Sequence, residues 1–295
     1  MTMTHPSPAA RLRKLLEEPR CHAMPCCWDA LSALLIAQAG FGFTFMSGFA
    51  VSAARIGKPD AGLISFGEML DQGRNICAAV DIPVIGDGDT GYGNAINVRR
   101  TVEEYARAGF AAVMIEDQVS PKRCGHVAGK QVVGRDEALV RIRAAVDARD
   151  AGCDILILAR TDARATDGLD EALWRAEAFA DLGADILFIE APATEAELAR
   201  IPAKVGGWHL ANMIDGGATP VVTRERLEEL GYRIAAYPVA MFGAAIAAMQ
   251  SHLASVGRAT GNGLSFADIK RTVGFETYHE LEGRYAPAIG RGVDG

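Results

Sequence analysis

The 295-residue sequence has no apolar run approaching the ~18 residues of a membrane span. It has no C-x-x-C pair and no zinc-type Cys/His spacing, although six cysteines are present (Cys21, Cys26, Cys27, Cys77, Cys124, Cys153). In a chain of this length they read as reduced thiols, which excludes a disulfide framework. A basic surface is also missing: the formal charge is -7 and the pI about 5.4, which speaks against nucleic-acid or anionic-membrane partners. No linker, low-complexity tract or charge block marks a second domain. The opening stretch MTMTHPSPAARLRKLLEEPR lacks the apolar core of a signal peptide and reads as a tail leading into a helix, so a cytoplasmic protein is expected.

What is present is a rhythm. Eight short apolar runs recur, each ending in polar or acidic residues: HAMPCCWDA, FTFMSGF, IPVIGDGD, AAVMIEDQ, DILILARTDA, DILFIEAP, HLANMIDGG and RIAAYPVA. Continuous apolar runs suit strands buried on both faces, as in parallel sheets. Amphipathic stretches such as NVRRTVEEYARAGF and LDEALWRAEAFADLGAD lie between them and end near glycine, a helix-stop signal. This alternation predicts a (β/α)8 barrel over residues 1–295 as one domain, with extra C-terminal helices at about 240–285. Barrel active sites collect at the C-terminal ends of strands, where this chain places its polar residues.

The stretch GDGDTGYG at residues 86–93 fits G-x-G-x-x-G, the dinucleotide pattern, with Glu116 at the distance of a ribose-binding acid. Two carboxylates inside the loop would repel a pyrophosphate, however. Asp87 and Asp89 suit a hard cation, or else they cap the next helix. Glu116 and Asp117 end the fourth run, Glu190 the sixth, and Asp29 and Asp60 lie just past the first two. A ring of carboxylates without a matching set of bases calls for a cation. Oxygen-only donors favour Mg2+, with Mn2+ as the alternative.

The loop SPKRCGHVAGKQ places Lys122, Arg123, Cys124 and His126 within five residues. Cationic neighbours lower a thiol's pKa and make it a proton carrier or nucleophile; an exposed basic loop with an incidental cysteine is the plainer reading. Arg160, at the end of the fifth run, can clamp a carboxylate or form a surface salt bridge. Ser47 and Asn212, also at strand ends, can donate to a second carboxylate. Cation, clamp and thiol together suit a reaction of a 2-oxo acid through an enolate.

The KRCGH element, together with GDGDTGYG, IEDQ, ARTDA and ANMIDGG in that order, resembles the isocitrate lyase/phosphoenolpyruvate mutase superfamily over roughly residues 20–285. The resemblance implies a (β/α)8 barrel, usually a homotetramer that exchanges C-terminal helices between subunits. It implies Mg2+ held mainly by Asp87, with Asp60, Asp89 and Glu116 acting through water, and Ser47, Gly48 and Phe49 bordering the 2-oxo acid. Arg160 would bind a carboxylate, and Cys124 would protonate the carbanion left after C–C cleavage, tuned by Lys122 and His126. Trp28, Asp29, Gly125, Glu190, Asn212 and Pro238 complete the expected substrate-binding set.

The departures narrow the substrate. Isocitrate and methylisocitrate lyases carry Tyr where this chain has Phe45 and His where it has Met114. They also carry Arg in the helix after strand eight, where Met241-Phe242-Gly243 stands here, so a third carboxylate lacks partners. The SGF, NMIDGG and YP features are more similar to the branch that holds 2,3-dimethylmalate lyase and the petal death protein. The expectation is a Mg2+-dependent C–C lyase that cleaves a small 2-hydroxy dicarboxylate to a 2-oxo acid such as pyruvate plus a carboxylate. Methylisocitrate lyase, oxaloacetate hydrolase, a phosphonate P–C bond enzyme and a non-catalytic barrel are the alternatives. With Phe45 in place of Tyr, the base for the substrate hydroxyl stays open between a metal-bound water and a strand-end carboxylate.

Overall fold

In a computed structural model, residues 6–122, 129–256 and 263–285 are described. Eight strands form one closed parallel barrel in sequence order. They are β1 (His22–Cys27), β2 (Thr44–Met46), β3 (Val84–Asp87), β4 (Ala112–Glu116), β5 (Leu156–Thr161), β6 (Ile186–Ile189), β7 (Trp208–Asn212) and β8 (Ile234–Tyr237). Helices α1 (Pro8–Glu17), α2 (Ala30–Gln38), α3 (Gly48–Ile56), α4 (Phe66–Ala79), α5 (Ala95–Ala108), α6 (Arg135–Asp150) and α7 (Ala163–Thr166) lie between or before them. The remainder are α8 (Leu169–Asp181), α9 (Glu195–Lys204), α10 (Arg224–Leu230), α11 (Ala240–Leu253), α12 (Phe266–Thr272) and α13 (Phe275–Tyr285). All eight predicted strands form. β1 closes the ring, pairing Cys27 with Met46 on one side and His22 with Ile234 on the other.

The strands are shorter than the apolar runs because polar residues stop them. Ser47 ends β2 by turning its Oγ to the Ala50 amide as the N-cap of α3. Asp29 follows β1 and takes the Ser32 amide at 2.7 Å, in a reciprocal capping box that starts α2. The apolar residues then divide into two layers. Met24, Phe45, Met114, Leu158, Phe188 and Leu210 fill the barrel interior, while Val113, Ile115, Ile157 and Ile189 pack outward against the helices. Leu12 and Leu16 of α1 join the interior cluster beside Phe43 and Ala111, which precede β2 and β4, so α1 seals the strand-start end. The opposite end is left for chemistry.

The chain divides into two compact units, Met1–Ala244 and Ala245–Gly295. In the second unit α12 and α13 bury none of their residues, and Phe266 is 73% exposed. No helix among the described residues is long and apolar enough to cross a membrane.

Candidate active site

At the strand-end face lies a cavity of about 270 Å3. Its polar lining comes from Ser47, Asp60, Asp87, Lys122, Arg160, Glu190 and Asn212. Its apolar lining comes from Met24, Cys26, Phe45, Met114, Phe188 and Leu210, with Phe49 and Pro238 also contributing. Barrel closure brings these together from all around the ring, because β1 to β8 each contribute residues on or after the strand.

Asp87 ends β3 and is buried. Its Oδ2 accepts from the Gly48 amide at 3.1 Å and its Oδ1 from the Asp89 amide at 3.0 Å. Burial, and then the charge of Asp89, push its carboxyl up to about 6. Gly48 serves that contact: a Cβ there would stand 2.5 Å from Asp87 Oδ2. The glycine loop builds no phosphate cradle, since its two carboxylates are buried and the first free amides of α5, from Ile96 and Asn97, are taken by Asn94. The same bonds exclude the helix-capping alternative for Asp87 and Asp89.

Lys122 lies inside the carboxylate cluster, its Nζ 2.7 Å from Asp60 and 2.8 Å from Asp89 Oδ1. Burial alone would lower its pKa, but Asp89, Asp87, Asp60 and Glu116 outweigh that and hold the ammonium charged. Burial raises the Glu116 carboxyl well above the usual range, against the pull of Arg160. Glu116 Oε1 is buried without a hydrogen-bond partner among the described residues. Arg160 forms ion pairs with Asp162 at 2.8 Å, Glu190 at 3.2 Å and Glu116 at 3.3 Å. Asn212 Nδ2 donates to Glu190 Oε2 at 3.1 Å.

These bases correct the expectation of an unmatched carboxylate ring. Among the described residues, Asp60, Asp87, Asp89, Glu116, Asp162 and Glu190 meet three cations, Lys122, Lys130 and Arg160, an excess of three acidic groups. The remaining acidity and the unpartnered Glu116 oxygen fit a hard divalent cation. Among the described residues no three Asp, Glu, His or Cys side chains form a closed ligand cage, and Lys122 engages two of the four expected donors. The donor set therefore fits a cation with few protein ligands and a shell of water, the habit of Mg2+.

Other expected residues fall differently. Trp28 and Asp29 do not line the cavity: Trp28 packs edge-on against Phe242 at 5.0 Å, and Asp29 is committed to capping α2. Asp117 turns away, accepting from Thr161 Oγ1 at 2.6 Å and Arg175 Nη1 at 3.0 Å. Arg123, Cys124, Gly125 and His126 lie outside the described residues. Asp162 and Lys130 had not been singled out; the Arg-Thr-Asp order at the end of β5 is the signal that could have found Asp162.

The profile of the phosphoenolpyruvate phosphomutase family matches residues 12–257. The chain belongs to that family. Within it, the chain is 42% identical over 284 residues to 2,3-dimethylmalate lyase of Eubacterium barkeri, covering 94% of this chain and 98% of that one. Among solved structures of the family's superfamily, a 2,3-dimethylmalate lyase superposes with a TM-score of 0.90 at 36% identity, covering 99% of this chain and 100% of that chain. Oxaloacetate acetylhydrolase in complex with the inhibitor 3,3-difluorooxalacetate matches at 0.90 and 35% identity, covering 94% and 97%.

One outcome follows for this family member from the Gly48 contact. Gly48→Ala must displace Asp87, so steady-state activity is expected to fall at least about tenfold, the scale of one weakened charge-assisted contact. Steady-state kinetics check this, with a melting curve to show that the fold persists.

Proposed function

We propose that the protein is a Mg2+-dependent carbon–carbon lyase acting on a 2-hydroxy dicarboxylate of the 2-alkylmalate type, such as 2,3-dimethylmalate, to give pyruvate and propionate. The observation that carries this reading is the composition of one cavity, whose lining combines Arg160 and the carboxylates Asp60, Asp87 and Glu190 with the apolar Phe45, Met114, Phe188 and Leu210. The apolar residues suit alkyl substituents and offer no donor to a third carboxylate, which favours an alkylmalate over methylisocitrate. The 42% identity to 2,3-dimethylmalate lyase over nearly the whole chain supports the same choice.

In this reading Asp87 holds Mg2+, while Asp60, Asp89 and Glu116 act through water. When bound, Mg2+ supplies Lewis-acid polarisation of oxygen at the reacting centre. Arg160 receives a substrate carboxylate. The substrate hydroxyl gives its proton to a strand-end carboxylate as its C–O bond becomes the C=O of pyruvate and the C–C bond breaks. The apolar residues hold the alkyl groups and keep water from the carbanion that forms. Cys124 Sγ gives its proton to that carbon, and Lys122 and His126 position the thiol and the substrate. Lys122 keeps its charge by its contacts with Asp60 and Asp89. The exposed apolar residues of α12 and α13 support the homotetramer with exchanged C-terminal helices as part of the same proposal.

A pyruvate-release assay with purified protein and Mg2+ tests the reading against 2,3-dimethylmalate, 2-methylmalate, methylisocitrate and oxaloacetate. Turnover of an alkylmalate, abolished by a chelator, is the expected result. Turnover of methylisocitrate alone would overturn the substrate assignment. Oxaloacetate hydrolysis is the second reading, favoured by the likeness to oxaloacetate acetylhydrolase; oxalate formation without alkylmalate cleavage would establish it.

A further inference from the structure

Arg160 is gripped along one edge. Its Nε donates to Asp162 Oδ2 at 2.8 Å and its Nη2 to Asp162 Oδ1 at 3.1 Å, so a single carboxylate takes a side-on fork of two donors. Nη2 also lies 3.2 Å from Glu190 Oε2, and Nε 3.3 Å from Glu116 Oε2. Nη1 has no hydrogen-bond partner among the described residues, and Arg160 lines the cavity. The donors left over are therefore those of one terminal nitrogen.

Asp162 is itself fixed on several sides. Lys130 Nζ donates to its Oδ1 at 2.7 Å, and the two side chains are 4% and 0% exposed. Its backbone amide donates to Asp117 Oδ1 at 2.9 Å, and Asp117 is anchored by Thr161 and Arg175. Both Asp162 oxygens are thus committed to cations, leaving it no direct part in the chemistry. Its effect on Arg160 is geometric and electrostatic. Without the fork, the guanidinium would be free to turn its donors wholly onto Glu116 and Glu190. Without Lys130, three carboxylates would surround one guanidinium, and an incoming anion would meet their repulsion.

We propose that Asp162, held by Lys130, is the positioning residue that fixes Arg160 so that Nη1 receives the substrate carboxylate, while Lys130 offsets the negative charge Asp162 brings to that anion site. The inference rests on the reading of Arg160 as the carboxylate clamp. Well-placed binding groups are sensitive to shifts of about 1 Å, which can cost on the order of 10²-fold. A role limited to holding the fold would instead reduce the active fraction, lowering kcat while leaving KM and anion affinity unchanged.

The test uses the full chain with saturating Mg2+ and measures oxalate binding by calorimetry alongside KM for 2,3-dimethylmalate. Asp162→Asn is expected to weaken oxalate and raise KM by roughly 10²-fold, by the same positional argument. In an Arg160→Met background the same change should have little further effect on oxalate. Because Asp162→Asn takes from the buried Lys130 side chain the carboxylate charge that it faces at 2.7 Å, the double variant Lys130→Met/Asp162→Asn is made as well, and the same loss of oxalate affinity is expected. Unchanged affinity in both Asp162 variants, or an equal loss with and without Arg160, overturns the proposal. Oxalate affinity in Arg160→Met equal to that of the wild type overturns the clamp reading and this proposal with it. If the wild-type protein cleaves no alkylmalate, the proposed substrate fails, yet the oxalate cycle still decides the role of Asp162.

Discussion

Cys124→Ser is expected to cut turnover of 2,3-dimethylmalate by about 10²–10⁴, the usual worth of a placed general acid. Serine keeps the side chain's size but holds its proton far too tightly to release it near neutral pH, whereas a thiol's free pKa is about 8.5 and cationic neighbours lower it. In the sequence those neighbours are Lys122, Arg123 and His126. The loss should fall on kcat, because oxalate, which needs no protonation, should bind as in the wild type. Steady-state kinetics and oxalate calorimetry on the same preparation separate the two. Wild-type kcat in the serine variant would remove Cys124 from the reaction.

The second large effect is expected at Asp87. Asp87→Asn removes the carboxylate proposed to hold the cation, and Lewis-acid stabilisation is worth several kcal/mol, on the order of 10³ or more in rate. Two local terms oppose one another in the metal-free protein. The two oxygens of Asp87 each accept one backbone amide, from Gly48 and Asp89, and an amide NH2 would face one of those donors. Leaving such a group unmatched costs about 1–3 kcal/mol. Against that, the substitution removes a buried charge whose pKa is already raised by burial and by Asp89. Melting without metal should therefore change little, while the rise in Tm expected for the wild type on adding Mg2+ should be absent from the variant. An equal Mg2+-induced rise in both proteins would contradict Asp87 as the ligand.

Much of this architecture is legible in the sequence. The eight apolar runs became eight strands because a parallel barrel buries both faces of each strand. The same uninterrupted apolarity hid which residues face inward: nothing in AAVMIEDQ separates Met114, in the barrel interior, from Val113 and Ile115, packed outward. Acidic residues at strand ends were readable, and Asp60, Asp87 and Glu190 do line one cavity. Their counter-charges were not, because Lys122 and Lys130 reach carboxylates far away in sequence. Asp29 showed the opposite ambiguity. An aspartate after a strand serves equally as a helix cap, and only the Ser32 bond decides between the roles.

The reaction assigned to this site has one direct signature. Proton NMR of 2,3-dimethylmalate incubated with the protein and Mg2+ in D2O should show pyruvate and propionate in equal amounts, with a single deuteron at C2 of propionate. That result reports both the bond broken and the carbon protonated. Unconsumed 2,3-dimethylmalate under conditions where oxaloacetate is converted to oxalate would contradict the account.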